Sequence, residues 1–169
     1  MRVLLSIFIM GAFSISVEAQ HEPVYDFNAY KESAISVGYL YSFGEPHSKS
    51  FHLLDFRFEK SRFGGRHPNF INWSSGVILS ANTTELLFAP VVGSRISYGG
   101  IVTGIDLFYL TNTEEGTLRL APVLGFGAHK VQIAIQPHIR ISNKSFEPIS
   151  RGHFVINMKL FSLKKQTLH

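Results

Sequence analysis

Residues 130–141 read KVQIAIQPHIRI. Val131, Ile133, Ile135, Pro137, Ile139 and Ile141 fall on one parity; Lys130, Gln132, Ala134, Gln136, His138 and Arg140 fall on the other. A helix would mix the two sets at every turn, whereas a strand sends alternate side chains to opposite faces. The stretch is therefore a two-faced strand. The same period runs through 33–43, where Ile35, Val37, Tyr39, Tyr41 and Phe43 oppose Ala34, Ser36, Gly38, Leu40 and Ser42. In 50–60, Leu54, Phe56 and Phe58 oppose Asp55, Arg57 and Glu59.

Working outward, the period predicts eight strands at 33–43, 50–60, 72–81, 85–97, 100–111, 117–127, 130–142 and 152–163. Ordinary globular strands run about 5–6 residues, and a tilted membrane-spanning strand needs about 9–11; these strands match the second figure. Turn signals separate them: Gly44-Glu45-Pro46, Asn82-Thr83-Thr84, Tyr98-Gly99-Gly100, Asn112 to Gly116 and Gly127-Ala128-His129. The longer links are 61–71 and 143–151. Ala89-Pro90-Val91-Val92-Gly93 returns as Ala121-Pro122-Val123-Leu124-Gly125, either an internal repeat or a chance likeness of apolar strands. A proline donates no ladder hydrogen bond, so each should mark a bulge or an unpaired site.

The chain is 169 residues long, 45% apolar and 17% charged, with 15 Phe, 6 Tyr, one Trp and no Cys. The length suits one domain. The charged fraction is below the roughly 25% of soluble domains, and the missing cysteines exclude a disulfide scaffold, a thiolate zinc site and a thiol nucleophile. The net charge of +4 comes from scattered residues, which gives no nucleic-acid patch. Met1-Arg2, the apolar run of residues 3–13, and Val17 and Ala19 before Gln20 form a signal-peptide pattern over 1–19. A lead-in of 20–32, a barrel of 33–163 and a tail of 164–169 complete the expected organisation.

Which face lies inside decides the compartment. A soluble barrel buries its apolar face; a membrane barrel turns it to lipid and fills the lumen with polar groups. The apolar faces here are larger than a core of this size needs, and the opposite faces are rich in Gly, Ala and Ser, as a narrow eight-stranded lumen requires. The predicted lumen network is Asp55, Arg57, Glu59, Arg95, Asp106, Arg119, Gln132, Gln136, His138, Arg140 and Lys159. Interfacial aromatics are expected at Tyr39, Tyr41, Trp73, Tyr98, Tyr109, Phe126, Phe154 and Phe161. On a soluble domain the same charges would form a solvated face and the same aromatics a core. With a periplasmic N-terminus, the long 61–71 link falls on the periplasmic side and the short 82–84 turn outside, the reverse of the usual asymmetry.

The stretch Leu118 to Leu163 resembles the ending of small outer-membrane β-barrel proteins of Bacteroidetes-type bacteria. The likeness rests on Leu118-Arg119-Leu120-Ala121-Pro122-Val123-Leu124-Gly125-Phe126-Gly127, on Ile141-Ser142-Asn143-Lys144-Ser145-Phe146 and on the aromatic-alternating run His153 to Leu163. It implies the fold and the bacterial outer membrane, with membrane lipid, lipopolysaccharide and the barrel-assembly machinery as partners, and it carries over no functional residue. Such barrels often end on an aromatic residue. This chain departs from that: Ser162-Leu163-Lys164-Lys165-Gln166-Thr167-Leu168-His169 follow Phe161.

For catalysis, His138 and Ser142 share a face but lie about 13 Å apart by strand rise, whereas a nucleophile–base pair needs about 3 Å. A serine on a neighbouring strand, with Glu147 or Glu59 orienting His138, would be required. The histidines show no ligand spacing, so neither a metal nor a cofactor is expected. Three glycosylation triplets, at Asn72, Asn82 and Asn143, read as chance in a bacterial context. The sequence thus predicts an all-β, eight-stranded antiparallel up-and-down transmembrane barrel, with a structural or surface-interaction role and no enzymatic activity. The alternatives are a secreted soluble barrel holding an apolar ligand and, further off, an outer-membrane lipid hydrolase.

Overall fold

The computed structural model describes residues 30–43, 50–64, 69–83 and 86–167. The expected signal peptide, residues 20–29 of the lead-in and the last two residues lie outside them. The strands are β1 (Tyr30–Phe43), β2 (Phe51–Gly64), β3 (Asn69–Ser80), β4 (Phe88–Tyr98), β5 (Ile101–Thr111), β6 (Gly116–Gly127), β7 (Val131–Pro137), β8 (Ile139–Arg140) and β9 (Gly152–Thr167). From β1 to β7 each strand pairs antiparallel with the next, β8 pairs with β6, β9 pairs with β7, and β9 returns to β1. β7 and β8 are two pieces of one stave, so the chain is a closed eight-stranded antiparallel barrel. Closure leaves no long sheet edge exposed.

The seventh stave was expected unbroken over 130–142, and register explains its interruption. β6 meets β7 at Leu124↔Ile135 and β8 at Leu120↔Ile139, which sets Pro122 opposite Pro137. Neither has an N–H to give, so the ladder lapses there. His138, at the break, donates its backbone N–H to Arg151 O at 2.7 Å. The partner motif behaves alike: β4 pairs with β5 at Phe88 and again from Val91, skipping Ala89 and Pro90.

The strand ends also differ from expectation. β2 runs to Gly64 and β3 starts at Asn69, so the link placed at 61–71 shrinks to four residues. The short turn placed at 82–84 becomes a connection over 81–87. The barrel therefore has a turn end, with links 65–68, 99–100 and 128–130, and a loop end, with 44–50, 81–87, 112–115 and 141–151. The longer links thus gather at the end where the short 82–84 turn was expected. Residues 30–32 and 164–167, assigned to the lead-in and tail, are paired strand: Lys31 faces Gln166 and Glu32 faces Lys165. Their polar side chains broke the apolar alternation that marks a strand in sequence, while the backbone ladder continued.

The parity of 33–60 and 130–141 is kept in space. Along β2, Leu53, Asp55, Arg57, Glu59, Ser61 and Phe63 are buried while Leu54, Phe56 and Phe58 are exposed. β9 changes parity: register shifts against β1 set Val37 opposite Met158, Ser36 opposite Lys159 and Ile35 opposite Phe161. An extra residue in a strand reverses the faces beyond it. That is how Phe154 and Phe161, on opposite parities, both point outward.

Candidate functional site

The lumen is filled in three tiers. At the loop end, Leu40, Leu53, Ile78, Leu87, Phe108, Leu110 and Ile149 pack together, with Phe51 and Phe146 against them. At the turn end, Phe63, Phe70 and Val102 pack with Tyr30. Neither apolar tier was part of the sequence reading, which expected a polar lumen throughout. Small inward residues such as Ala34, Ser36 and Gly38 between the tiers leave room for long charged side chains.

The middle tier centres on Asp106. Its carboxylate accepts from Arg57 Nη1 and Nη2, both at 2.9 Å, from Arg95 Nη2 at 3.2 Å and from Gln136 Nε2 at 2.7 Å. Arg57 Nε donates to Asp55 at 2.7 Å, and its Nη1 also reaches Ser74 at 3.2 Å. Arg95 Nη1 donates to Gln132 at 2.9 Å. Two guanidinium groups and two carboxylates, all buried, thus tie together β2, β4, β5 and β7. Enclosed charges persist when paired and hydrogen-bonded in this way. Glu59 stands apart, accepting from Ser36 at 2.7 Å and Asn72 at 3.4 Å. Lys159 meets Glu32 at 2.6 Å across the β1–β9 seam and reaches Ser61 of β2 at 3.2 Å.

Of the eleven predicted lumen residues, Asp55, Arg57, Arg95, Asp106, Gln132 and Gln136 form this one network, and Glu59 and Lys159 lie inward in separate contacts. Arg119 and His138 belong to a different cluster nearer the loop end. Arg140 is half-buried and turns to the loop, pairing with Glu147 and with the Lys144 carbonyl. Its partner is a loop acid that Arg151 also holds, so it is not part of the central network. Sequence reasoning placed Ser36 on the inward face without assigning it a partner, and missed Glu32, Asn72 and His153. Extending the parity of Ala34–Ser42 back by two residues finds Glu32; His153 shares its parity with Lys159.

Space around Asp106 depends on a glycine. A Cβ at Gly93 would collide with Asp106 Oδ1 and lie 3.0 Å from its Cγ. Gly93→Ala is expected to displace the carboxylate from Arg57 and to lower the unfolding free energy measured in urea by the loss of one charged hydrogen bond, about 1.5–3 kcal/mol. Unchanged stability would mean that the network tolerates the displacement.

In the turn-end link, the His129 ring stacks on Phe63 at 4.0 Å, and Phe63 stacks on Tyr30 at 5.3 Å. Lys165 lies over Tyr30 at 4.4 Å. Burial, then the nearby Lys159 ammonium, hold the His129 imidazole down to about 4 from the ordinary 6.5; Glu32 opposes this, and Lys130 and Lys165 add to it. The unfolded chain therefore binds the proton more readily. The His129 contribution to stability is intact above about pH 6.5 and is lost as pH falls towards 4. Thermal unfolding between pH 7 and 4 should show that loss, and His129→Gln should reduce it.

The outward aromatics fall into two groups. Tyr39, Tyr41, Tyr109 and Phe154 sit near the loop end; Trp73, Tyr98, Phe126 and Phe161 sit towards the turn end. Trp73, Tyr98 and Phe126 are 65%, 73% and 71% exposed. Tyr41 hydroxyl meets Ser50 at 2.6 Å, and Tyr39 hydroxyl meets His52 Nδ1.

Among the described residues no serine hydroxyl or carboxylate is hydrogen-bonded to the His138 ring. Its Nδ1 lies 3.4 Å from Arg119 Nη1, and its ring packs edge-on to His153 at 4.1 Å and Phe108 at 5.1 Å. Ser142 Oγ instead accepts the Leu118 N–H at 3.0 Å, while Glu147 and Glu59 are engaged elsewhere. No cluster of three or more potential metal ligands occurs among the described residues. No protein-family model, curated protein or solved structure matches this chain.

Proposed function

We propose that this small barrel is exported and inserted into a bacterial outer membrane, where it serves a structural or surface-interaction role. The observation that carries the reading is the reversed polarity: Asp55, Arg57, Arg95 and Asp106 lie inside while Leu54, Phe56, Ile133 and Ile135 point out. Such a distribution is costly in water, where a contiguous apolar band invites association. In lipid it is the stable one. The shortest unbroken strands, β4 and β5 with 11 residues each, rise about 36 Å. Tilted by about 40°, they cover roughly the 25 Å apolar band of an outer-membrane barrel.

The two aromatic groups suit the two membrane interfaces, and the loop end suits the exterior, where lipopolysaccharide would surround it. Insertion would call on the barrel-assembly machinery. The likeness of Leu118 to Leu163 to Bacteroidetes-type outer-membrane barrels supports the same compartment. The proposal assigns no reaction. An interior apolar ligand in a soluble barrel would need an open apolar cavity, whereas ion pairs fill the middle of this lumen and packed apolar side chains fill both ends.

The test is fractionation of cells making the full chain, followed by electrophoresis with and without boiling. The expected result is recovery with the outer membrane and a faster-migrating unheated band, the mark of a closed barrel that survives detergent. A soluble periplasmic protein with no mobility shift would overturn the proposal.

A further inference from the structure

Beneath the 141–151 loop lies a cationic cluster that the ion-pair network does not use. Arg119 is buried, yet among the described residues its contacts are only His138 Nδ1 and the Ser150 carbonyl, both at 3.4 Å from Nη1. Among the described residues no carboxylate is in salt-bridge contact with it, and Glu147 of the loop above acts on it only at longer, Coulombic range. Its Nε and Nη2, the two parallel N–H groups of the guanidinium's side edge, have no hydrogen-bond partner. Arg57 offers the contrast, with the same edge and both terminal nitrogens committed to carboxylates.

The surrounding groups are in the same condition. The His138 ring also engages the Ser150 backbone, and its Nε2 is buried with no hydrogen-bond partner among the described residues. Both ring nitrogens of His153 and the Ser150 hydroxyl, all fully buried, are also without one. Six of the eleven buried side-chain atoms that lack a partner among the described residues belong to these four residues. Arg140 and Arg151 flank the loop above with Glu147 between them, which leaves the approach cationic.

We infer that Arg119, His138, Ser150 and His153 form a binding site for a small phosphate group reached from the loop end. A buried guanidinium requires a counter-charge, and its side edge matches two oxygens of an oxyanion. A planar carboxylate would satisfy the fork alone. A tetrahedral phosphate also presents oxygens to the Ser150 hydroxyl and the imidazole N–H groups. Enclosure within the lumen favours inorganic phosphate or a small soluble phosphate ester over a lipid headgroup.

The test uses the full chain in a phosphate-free maltoside detergent at constant ionic strength. Inorganic phosphate should raise the melting temperature saturably and broaden its own phosphorus resonance, whereas acetate should do markedly less. Arg119→Gln should abolish both effects. Ser150→Ala should weaken binding about tenfold, the worth of one hydrogen bond to a charged group, and it serves where Arg119→Gln does not fold. Outward-facing Lys60→Gln should bind as the parent does. An absent phosphate response, an equal response to acetate, a response retained by Arg119→Gln, or one seen only with phosphate-bearing lipid would each overturn the inference.

Discussion

Asp106→Asn is expected to destabilise the barrel by about 3–5 kcal/mol, the cost of removing one member of a buried ionic cluster. Asp106 is the only acid that pairs with Arg95 among the described residues and the one that holds both terminal nitrogens of Arg57. Asparagine keeps the shape but turns one acceptor oxygen into an amide donor facing guanidinium and Gln136 donors. Arg57 would retain Asp55 on its Nε side; Arg95 would retain only Gln132. The measurement is reversible urea unfolding of the refolded protein. Arg95→Gln in the Asp106→Asn background should cost less than Arg95→Gln alone, because its partner is already gone. A loss under about 1 kcal/mol, a value typical of exposed pairs, would show that water reaches the network.

How much of this was legible in the sequence depends on the range of the physics involved. Parity is local: alternate side chains point oppositely whatever the rest of the chain does, so Asp55, Arg57 and Glu59 could be placed on one face from residues 50–60 alone, while putting that face inside took the apolar faces of all the strands. Pairing is not local. Arg57 and Asp106 are 49 residues apart, and their contact follows from the register of four strands. The interrupted seventh stave is a similar case, since Pro137 alone reads as a tolerable strand residue and only Pro122 opposite it breaks the ladder. The β9 parity change was invisible because Leu160-Phe161-Ser162 carries no glycine or proline to mark a bulge. Strand ends at Tyr30, Gly64, Asn69 and Thr167 were missed because backbone pairing there continues beneath side chains that no longer alternate. The Arg119 cluster was half visible: Arg119 and His138 were placed inside, but that the first lacks an acid is a statement about every neighbour at once.

Ile135→Arg separates the two media in which an outward face can lie. Ile135 is 46% exposed at the middle of the seventh stave, opposite Leu124 on β6 and Phe154 on β9. In water an arginine there would keep its charge hydrated and lay its stem on its neighbours, and such surface changes stay within about 0.5 kcal/mol. At the midplane of a bilayer the same charge costs about 2–4 kcal/mol. The expected result, for protein folded into phospholipid vesicles and unfolded with urea, is a loss in that range. Ile101→Arg supplies the depth control. Ile101 is equally outward but opens β5 at the turn end, where an arginine reaches the headgroups and should cost no more than about 1 kcal/mol. A large difference between the two variants in vesicles follows only if the apolar band meets hydrocarbon. Equal and small losses would place that band in contact with water or with another protein.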